Sequence, residues 1–180
     1  MAELPPLTLV LGGAASGKSA FAEQLVACAQ LEKHYIATAQ AFDDEMHAKI
    51  QKHQNTRAAD RWVTHEEPRD LAPVLHAMSA DKVVLLDCAT LWLTNQLMAD
   101  TDLDAASRGL VPSLISCPAA VVVVSNEVGQ GIVPEHAMSR QFREAQGKLN
   151  QLVARDAQLV VQVIAGLPMV LKGTLPEGMS

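Results

Sequence analysis

Short, strongly apolar runs alternate along the chain with longer stretches in which apolar residues recur every three or four positions. Several of the apolar runs are almost continuous in Val, Ile and Leu. This favours strands buried on both faces of a parallel sheet over half-exposed strands, which alternate. The predicted strands are Leu7–Leu11, His34–Ala37, Trp62–Thr64, Lys82–Asp87, Ala119–Ser125 and Gln158–Ile164, with a short seventh near Met169–Leu171.

Six stretches between these runs are typical of helices. They are Lys18–Gln30, Asp43–Arg57, Arg69–Met78, Thr90–Ala99, Asp104–Ser116 and Pro134–Asp156. Strands that alternate with helices predict an α/β fold with the ligand at the carboxyl ends of the strands. A length of 180 residues without a recognisable linker predicts a single domain over residues 1–180.

A glycine-rich sequence joins the first predicted strand to the first predicted helix, and it fits the pattern G-x-x-x-x-G-K-[ST]. Its residues are Gly12, Gly13, Ala14, Ala15, Ser16, Gly17, Lys18 and Ser19. The glycines let several N–H groups converge on a phosphate, and the helix that follows favours anions at its N-terminus. In this pattern Lys18 reaches the terminal phosphates of a nucleoside triphosphate and Ser19 binds Mg²⁺. The strand–loop–helix context favours this interpretation over a turn that binds nothing.

Asp87 ends the apolar run that begins at Lys82. In phosphate-loop enzymes an aspartate at the end of such a strand lies beside the loop and holds Mg²⁺, directly or through water. An aspartate that only begins the turn after the strand is the alternative. Together with the glycine-rich loop, the pattern favours the catalytic, Mg²⁺-holding role.

The segment from Val124 to Pro134 follows another apolar run, so it is predicted at the same sheet edge as the glycine-rich loop. Asn126 and Glu127 are candidates to orient a substrate hydroxyl or a base, and Glu127 is a candidate nucleotide-binding residue. An ordinary loop that leads into a helix with Pro134 in its first turn explains the residues equally well. From the residues alone, both interpretations stay open.

Lys49, His53 and Arg57 recur every four residues on one stripe of the predicted helix Asp43–Arg57. Each step along the helix is about 6 Å, at about 1.5 Å per residue, so two cations flank one imidazole. Flanking positive charge favours a neutral imidazole, which is a nucleophile able to accept a phosphoryl or nucleotidyl group. A solvated helix face that carries a histidine is the more ordinary explanation of the same pattern.

Composition narrows the possible partners and compartment. The formal net charge of −6 argues against nucleic-acid binding as the main function. Although 49% of the residues are hydrophobic, no apolar stretch has the length of a transmembrane segment, and the N-terminus does not resemble a secretory signal. Cys28, Cys88 and Cys117 are an odd, widely spaced set, which predicts no disulfide framework and fits a cytoplasmic protein.

Six segments, in order from about Leu7 to about Lys172, resemble a known enzyme family. They are Gly12–Ser19, Tyr35–Ala39, Asp43–Met46 with Lys49, Ile50 and His53, Asp87–Asn95, Asn126–Pro134 and Gly166–Pro168. The family is the bifunctional adenosylcobinamide kinase / adenosylcobinamide-phosphate guanylyltransferase family of cobalamin biosynthesis. The glycine-rich loop is common to many families, whereas the Asp-Asp-Glu-Met and Asn-Glu-Val-Gly-x-Gly-Ile-Val-Pro segments are far more specific.

The resemblance implies a RecA-like P-loop fold, a homo-oligomer and a two-step reaction. The first step phosphorylates adenosylcobinamide with ATP or GTP. The second step transfers GMP from GTP onto that phosphate, giving adenosylcobinamide-GDP and pyrophosphate. The family's GMP-carrying histidine matches His53, and Lys49 and Arg57 then become phosphate-neutralising neighbours. Many members carry arginine at the positions of Ala15 and Lys49. This chain therefore lacks any phosphate contact from the first side chain, and at the second it keeps the positive charge but cannot form a bidentate fork.

Two other functions are compatible with a phosphate loop. A monofunctional small-molecule kinase would form no nucleotidyl-histidine. A nucleotide-gated regulatory protein would bind GTP without acting on adenosylcobinamide, although the chain lacks the Asn-Lys-x-Asp guanine motif of Ras-like switches.

Overall fold

The computed structural model describes residues 4–40 and 61–179. The strands are β1 (Leu7–Gly12), β2 (Glu32–Ala37), β3 (Val63–Glu66), β4 (Lys82–Asp87), β5 (Ala120–Asn126), β6 (Leu159–Ile164) and β7 (Leu167–Lys172). The helices are α1 (Lys18–Cys28), α2 (Leu71–His76), α3 (Ala89–Met98), α4 (Leu103–Ile115) and α5 (Ala137–Asp156). None of these helices combines the length and the apolar character needed to cross a bilayer.

The seven strands form one sheet in the order β3-β2-β4-β5-β1-β6-β7. All neighbouring pairs are parallel except β6 and β7, which form an antiparallel hairpin at the edge. Because β1 lies between β5 and β6, the loop that follows β1 emerges in the inner part of the carboxyl edge of the sheet.

Helices cover both faces of the sheet. Successive residues of a strand point to opposite faces, so each buried strand contributes to two cores. On one face α1 packs against strand residues such as Val10, Leu85 and Val122. On the other face α2, α3, α4 and α5 pack against residues such as Leu9 and Leu86. The near-continuous apolar strands predicted from the sequence are therefore confirmed as strands buried on both faces.

The predicted elements that fall in the described residues are all present, with shifted ends. β3 begins at Val63 and extends to Glu66, and β7 is a full antiparallel strand rather than a short one. Helix α5 begins at Ala137 instead of Pro134, because the backbone of His136 is extended, with φ −78° and ψ 133°. The carbonyl oxygens of Pro134 and Glu135 accept hydrogen bonds from the side chain of Arg140. The predicted helix Asp43–Arg57 lies outside the described residues.

Candidate phosphate-transfer site

The carboxyl ends of β1, β4 and β5 bring three predicted site segments to one edge of the sheet. Gly12, the last residue of β1, is in register with Asn126 at the end of β5. Asp87, the last residue of β4, is in register with Val124 of β5. Adjacent strands are about 4.8 Å apart, so the glycine-rich loop, Asp87 and Asn126 lie within a few strand spacings of one another.

Close packing explains two of the loop's glycines. A Cβ atom on Gly12 would lie 2.8 Å from the carbonyl oxygen of Val163 and would overlap the hydroxyl of Ser16. Gly17 has a φ of +91°, and a Cβ atom there would lie 3.1 Å from Cα of Gly166. The N–H of Gly166 also donates to the carbonyl oxygen of Ser16 at 2.8 Å. The turn between β6 and β7 therefore packs against the loop and supports its shape.

The N-terminus of α1 has the features of an anion-binding site. Gly17 precedes the helix, so no side chain caps the first turn, and this turn carries no acidic residue. Uncapped N–H groups and the helix dipole favour a negatively charged ligand here. Ser16 adds a buried hydroxyl oxygen that has no hydrogen-bond partner in the described part of the chain. The loop thus offers polar groups where the sequence predicts the phosphates.

Lys18 lies over this loop. Its Nζ atom donates to the carbonyl oxygen of Gly13 at 3.1 Å. The ion pairs formed within the described residues do not include Lys18. Its charge is therefore available to a phosphate. Gly13, Ala14 and Ala15 are exposed, and Ser19 is half-buried in the first turn of α1.

A buried tyrosine holds the carboxylate of Asp87. The hydroxyl of Tyr35 donates to Oδ2 of Asp87 at 3.0 Å. Within the ranges 4–40 and 61–179, Oδ1 has no hydrogen-bond donor. The carboxylate of Asp87 and the hydroxyl of Ser19 are both oxygen donors, which suit Mg²⁺ bound jointly by protein and substrate phosphates. The residues predicted to hold Mg²⁺ therefore fit that ion in their chemistry.

Cys88 follows Asp87 and serves the structure rather than the reaction. Burial, reinforced by the charge of Asp87, raises the pKa of the Cys88 thiol to about 11. The thiol is therefore protonated at neutral pH and is a poor nucleophile. Its Sγ atom accepts the N–H of Leu91 at the start of α3. Both backbone polar groups of Cys88 bond to the hydroxyl of Thr38, which ties the end of β2 to the end of β4.

Backbone groups at the end of β5 and in the next residue make three hydrogen bonds that fix this segment. The N–H of Asn126 donates to the hydroxyl of Thr90 at 2.8 Å, and its carbonyl oxygen accepts from Nδ2 of Asn150 at 3.1 Å. The N–H of Glu127 donates to the carbonyl oxygen of Gly12 at 3.0 Å. The phosphate loop and the segment after β5 are thus directly joined. The side-chain oxygen of Asn126 is buried and finds no partner among the residues described.

Glu127 closes its own turn. One of its carboxylate oxygens, Oε1, accepts the N–H of Gly129 at 2.6 Å, and the carbonyl oxygen of Gly129 accepts from Arg143 of α5 at 2.6 Å. This contact shapes the loop, and it leaves the nucleotide-binding role of Glu127 a prediction.

A buried polar network between β5 and α5 is a part of the site that sequence reasoning did not find. Gln146 donates to Ser125 at 2.9 Å and to Asn150 at 3.0 Å, and Ser125 donates to Asn150 at 2.6 Å. All three residues are buried. No sequence pattern indicates these contacts, because they join residues 4 to 25 positions apart, and two of the three connect β5 with α5.

The three residues of the predicted cationic stripe lie outside the described residues. They are Lys49, His53 and Arg57. Their roles stay predictions.

Two of the other histidines form a pair on β2 and β3. Nδ1 of His34 lies 2.8 Å from Nε2 of His65, and Nε2 of His34 lies 2.9 Å from Oε1 of Glu32. Burial, then the nearby charges of His34 and Lys82, lower the pKa of His65. His34 is buried in β2 and His65 lies on the edge strand β3, so β4 and β5 separate this pair from the strand of the phosphate loop.

These features define the class of the protein. A G-x-x-x-x-G-K-S loop follows the first strand, opens an uncapped helix and lies at the carboxyl edge of a mostly parallel sheet. The chain is therefore a P-loop protein of the α/β class. One strand, β5, separates the strand of the loop from the strand of Asp87, and the predicted mostly parallel sheet flanked by helices is confirmed.

The chain belongs to the family described as cobinamide kinase / cobinamide phosphate guanyltransferase, whose family model matches residues 8–171. It is 45% identical over 168 residues to the bifunctional adenosylcobalamin biosynthesis protein CobP of Pseudomonas aeruginosa, covering 92% of this chain and 96% of that protein. It is 40% identical over 182 residues to the bifunctional adenosylcobalamin biosynthesis protein CobU of Escherichia coli, covering 92% of this chain and 99% of that protein. The predicted family and the predicted enzyme class, a transferase, are confirmed.

Among solved structures, the chain is similar to a crystal structure of the RadB recombinase. The TM-score is 0.49 and the sequence identity is 16%, with 88% of this chain and 74% of that chain covered.

Proposed function

We propose that the chain is a single nucleotide-binding domain that phosphorylates adenosylcobinamide and then guanylylates the product. ATP or GTP supplies the phosphoryl group, and GTP supplies GMP. The observation that carries the proposal is the phosphate loop at the sheet edge, with an uncapped helix N-terminus, the ammonium of Lys18 over the loop and the carboxylate of Asp87. Family membership supports the choice of substrate.

In the kinase step a hydroxyl oxygen of adenosylcobinamide attacks the γ-phosphorus. The bond from the γ-phosphorus to the β–γ bridging oxygen breaks, the nucleoside diphosphate leaves, and the hydroxyl proton passes to a base or to water. Lys18 and the loop N–H groups stabilise the negative charge on the transferred group. Ser19 and Asp87 are the residues that would hold Mg²⁺, which neutralises charge on the phosphates when it is bound.

In the second step the neutral imidazole of His53 attacks the α-phosphorus of GTP. A P–N bond forms, the bond to the bridging oxygen breaks, and pyrophosphate leaves. A phosphate oxygen of adenosylcobinamide phosphate then attacks the same phosphorus, so the P–N bond breaks and His53 is regenerated. Lys49 and Arg57, one helical turn away on either side in the predicted helix, would offset the charge of the bound GMP.

The exposed edge hairpin supports a homo-oligomer. All six residues of β7 are exposed, and the apolar side chains on one of its faces include Leu167 at 72%, Met169 at 47% and Leu171 at 53% exposure. An apolar edge strand readily pairs with another chain, and a second copy of this chain is the occupant that family enzymes imply. The cysteines of the described residues are all free, which supports a cytoplasmic location.

The test is mass spectrometry of the intact protein after incubation with GTP and Mg²⁺. We expect a GMP adduct that maps to His53 and disappears in His53→Ala. His47→Ala is the matched control, because His47 lies in the same predicted helix and should leave the adduct unchanged. Kinase activity should survive in His53→Ala. Absence of any adduct in the parent protein would favour a monofunctional kinase, and an adduct at another residue would refute the role of His53.

A further inference from the structure

Tyr35 is a buried tyrosine whose hydroxyl reaches the candidate site. The residue is 4% exposed and belongs to the core on the α1 face of the sheet. It lies in register with Leu85 of β4, and Leu85 and Asp87 point to the same face because they are two residues apart. The hydroxyl can therefore meet the last side chain of β4, and it donates to Oδ2 of Asp87 at 3.0 Å.

The surroundings of the ring fix the position of this hydroxyl. Trp62 packs edge-on against Tyr35, with ring centroids 6.1 Å apart and an interplanar angle of 86°. This is a favourable aromatic geometry. The backbone of Tyr35 lies in a strand paired on both sides, by β3 and β4. A donor held in this way restricts the rotation of the carboxylate that accepts from it.

We propose that Tyr35 positions Asp87 for the cation of the phosphate-transfer reaction. The inference rests on the proposed function, in which Asp87 helps to hold Mg²⁺. Tyr35 occupies Oδ2 and leaves Oδ1 for the cation or one of its water molecules. Groups that hydrogen-bond to a metal ligand orient it, and their removal typically lowers metal affinity about 10–100-fold.

A purely structural role for the hydroxyl makes a different prediction. The hydroxyl of a buried tyrosine usually finds a hydrogen-bond partner, whatever that partner does. If Asp87 were only such a partner, Tyr35→Phe would change the stability of the fold and leave cation binding unaltered. Cation affinity therefore separates the two roles.

The experiment measures Mn²⁺ binding to the full chain by electron paramagnetic resonance, with a saturating non-hydrolysable GTP analogue. The variants are Tyr35→Phe, Asp87→Asn and the double variant. We expect Tyr35→Phe to weaken Mn²⁺ binding about tenfold in the parent chain, because the carboxylate is no longer held. In the Asp87→Asn background the same change should have little effect. Ser107→Ala is the control, since it removes a buried hydroxyl from α4 and should leave Mn²⁺ binding unchanged.

The other outcomes are equally informative. If Asp87→Asn weakens Mn²⁺ binding and Tyr35→Phe does not, the positioning role is wrong while the proposed function stands. If Tyr35→Phe weakens binding equally in both backgrounds, it does not act through Asp87 and the inference fails. If Asp87→Asn leaves Mn²⁺ binding unchanged, the role of Asp87 in the proposed function fails first, and the inference fails with it.

A second measurement does not depend on the folding of Tyr35→Phe. Tyr35 is the only tyrosine in the chain, so biosynthetic 3-fluorotyrosine labels this one position. We expect its ¹⁹F resonance to shift when Mg²⁺ is added to the nucleotide-bound protein, and the shift to vanish in Asp87→Asn. A resonance that does not respond to Mg²⁺ in the parent protein would overturn the inference.

Discussion

Gly12 lies where no side chain fits. In Gly12→Ala the new Cβ atom would lie 2.8 Å from the carbonyl oxygen of Val163 and against Ser16, so the loop or β6 must move. We expect a loss of about 1–3 kcal/mol in the free energy of unfolding, the usual range for overpacking. Nucleotide binding should weaken as well, because the loop changes shape. Urea unfolding and nucleotide titration measure the two effects.

The next glycine gives the matched control. A Cβ atom on Gly13 would have no heavy atom of residues 4–40 or 61–179 within 4 Å. We expect the stability of Gly13→Ala to stay within about 0.5 kcal/mol of the parent. Equal losses in both variants would show that the crowding around Gly12 is not the cause.

Cys88 and Cys28 should differ in reactivity. The pKa of Cys88 is raised to about 11, chiefly by burial, so about one thiol in a thousand is a thiolate at pH 8. Cys28 is half-exposed. We expect iodoacetamide to modify Cys28 first, and the slow modification of Cys88 to accelerate about tenfold per pH unit between pH 7 and 9, because the thiolate is the reactive form. Mass spectrometry of peptides from timed samples measures this. Rapid modification of Cys88 at pH 8 would contradict its burial.

Single residues of the site were predictable where a local pattern specifies them. Gly12, Gly17, Lys18 and Ser19 occupy fixed positions in one motif, and Asp87 follows an apolar strand. Tyr35 was not predicted as a partner of Asp87, because the two are 52 positions apart and meet only when β2 pairs with β4. A sequence motif identifies only the residues that belong to it. The side chains that orient those residues are brought to them by strand register, which the motif does not contain.

Helix α5 stabilises the end of β5 through its buried polar side chains. Asn150→Ala removes the donor to the carbonyl oxygen of Asn126 and leaves Ser125 and Gln146 with fewer partners. Buried polar groups without partners cost about 1–3 kcal/mol, so we expect a loss of that size in urea unfolding. Gln151→Ala, at an exposed position of the same helix, should change the stability by less than about 0.5 kcal/mol. Equal urea midpoints for the two variants would show that the network contributes little.

At the scale of the elements, the positions of the strands along the chain were predicted more accurately than the pairing and direction of the strands in the sheet. Apolar runs located β1, β4 and β5 because burial on both faces demands such runs. The antiparallel direction of β7 was not predicted, because a short apolar segment looks alike in either direction. The turn at Gly166 reverses the chain and packs on the phosphate loop. No local pattern predicted this role, and Gly166 contributed only to the family resemblance.

At the scale of the whole molecule, the alternation of strands and helices predicted the layers of the fold correctly. The order of the strands in the sheet could not be predicted from this pattern, because it depends on how the helical connections between strands pack in the folded domain. The same holds for subunit contacts. Exposure of apolar residues on β7 becomes visible only once the sheet is assembled, since the sequence of β7 reads like a buried strand.

We expect the exposed face of β7 to be covered by a second copy of the chain. Covering one Leu or Met side chain contributes about 1.5–3 kcal/mol. Met169→Lys should therefore weaken self-association by about one to two orders of magnitude, because each 1.4 kcal/mol is about tenfold. Light scattering during size-exclusion chromatography measures the mass over a dilution series. Ile115→Lys, a matched change at an exposed apolar residue of α4, should leave the mass unchanged. A parent protein that is monomeric at all concentrations, or an oligomer indifferent to Met169→Lys, would refute an interface at β7.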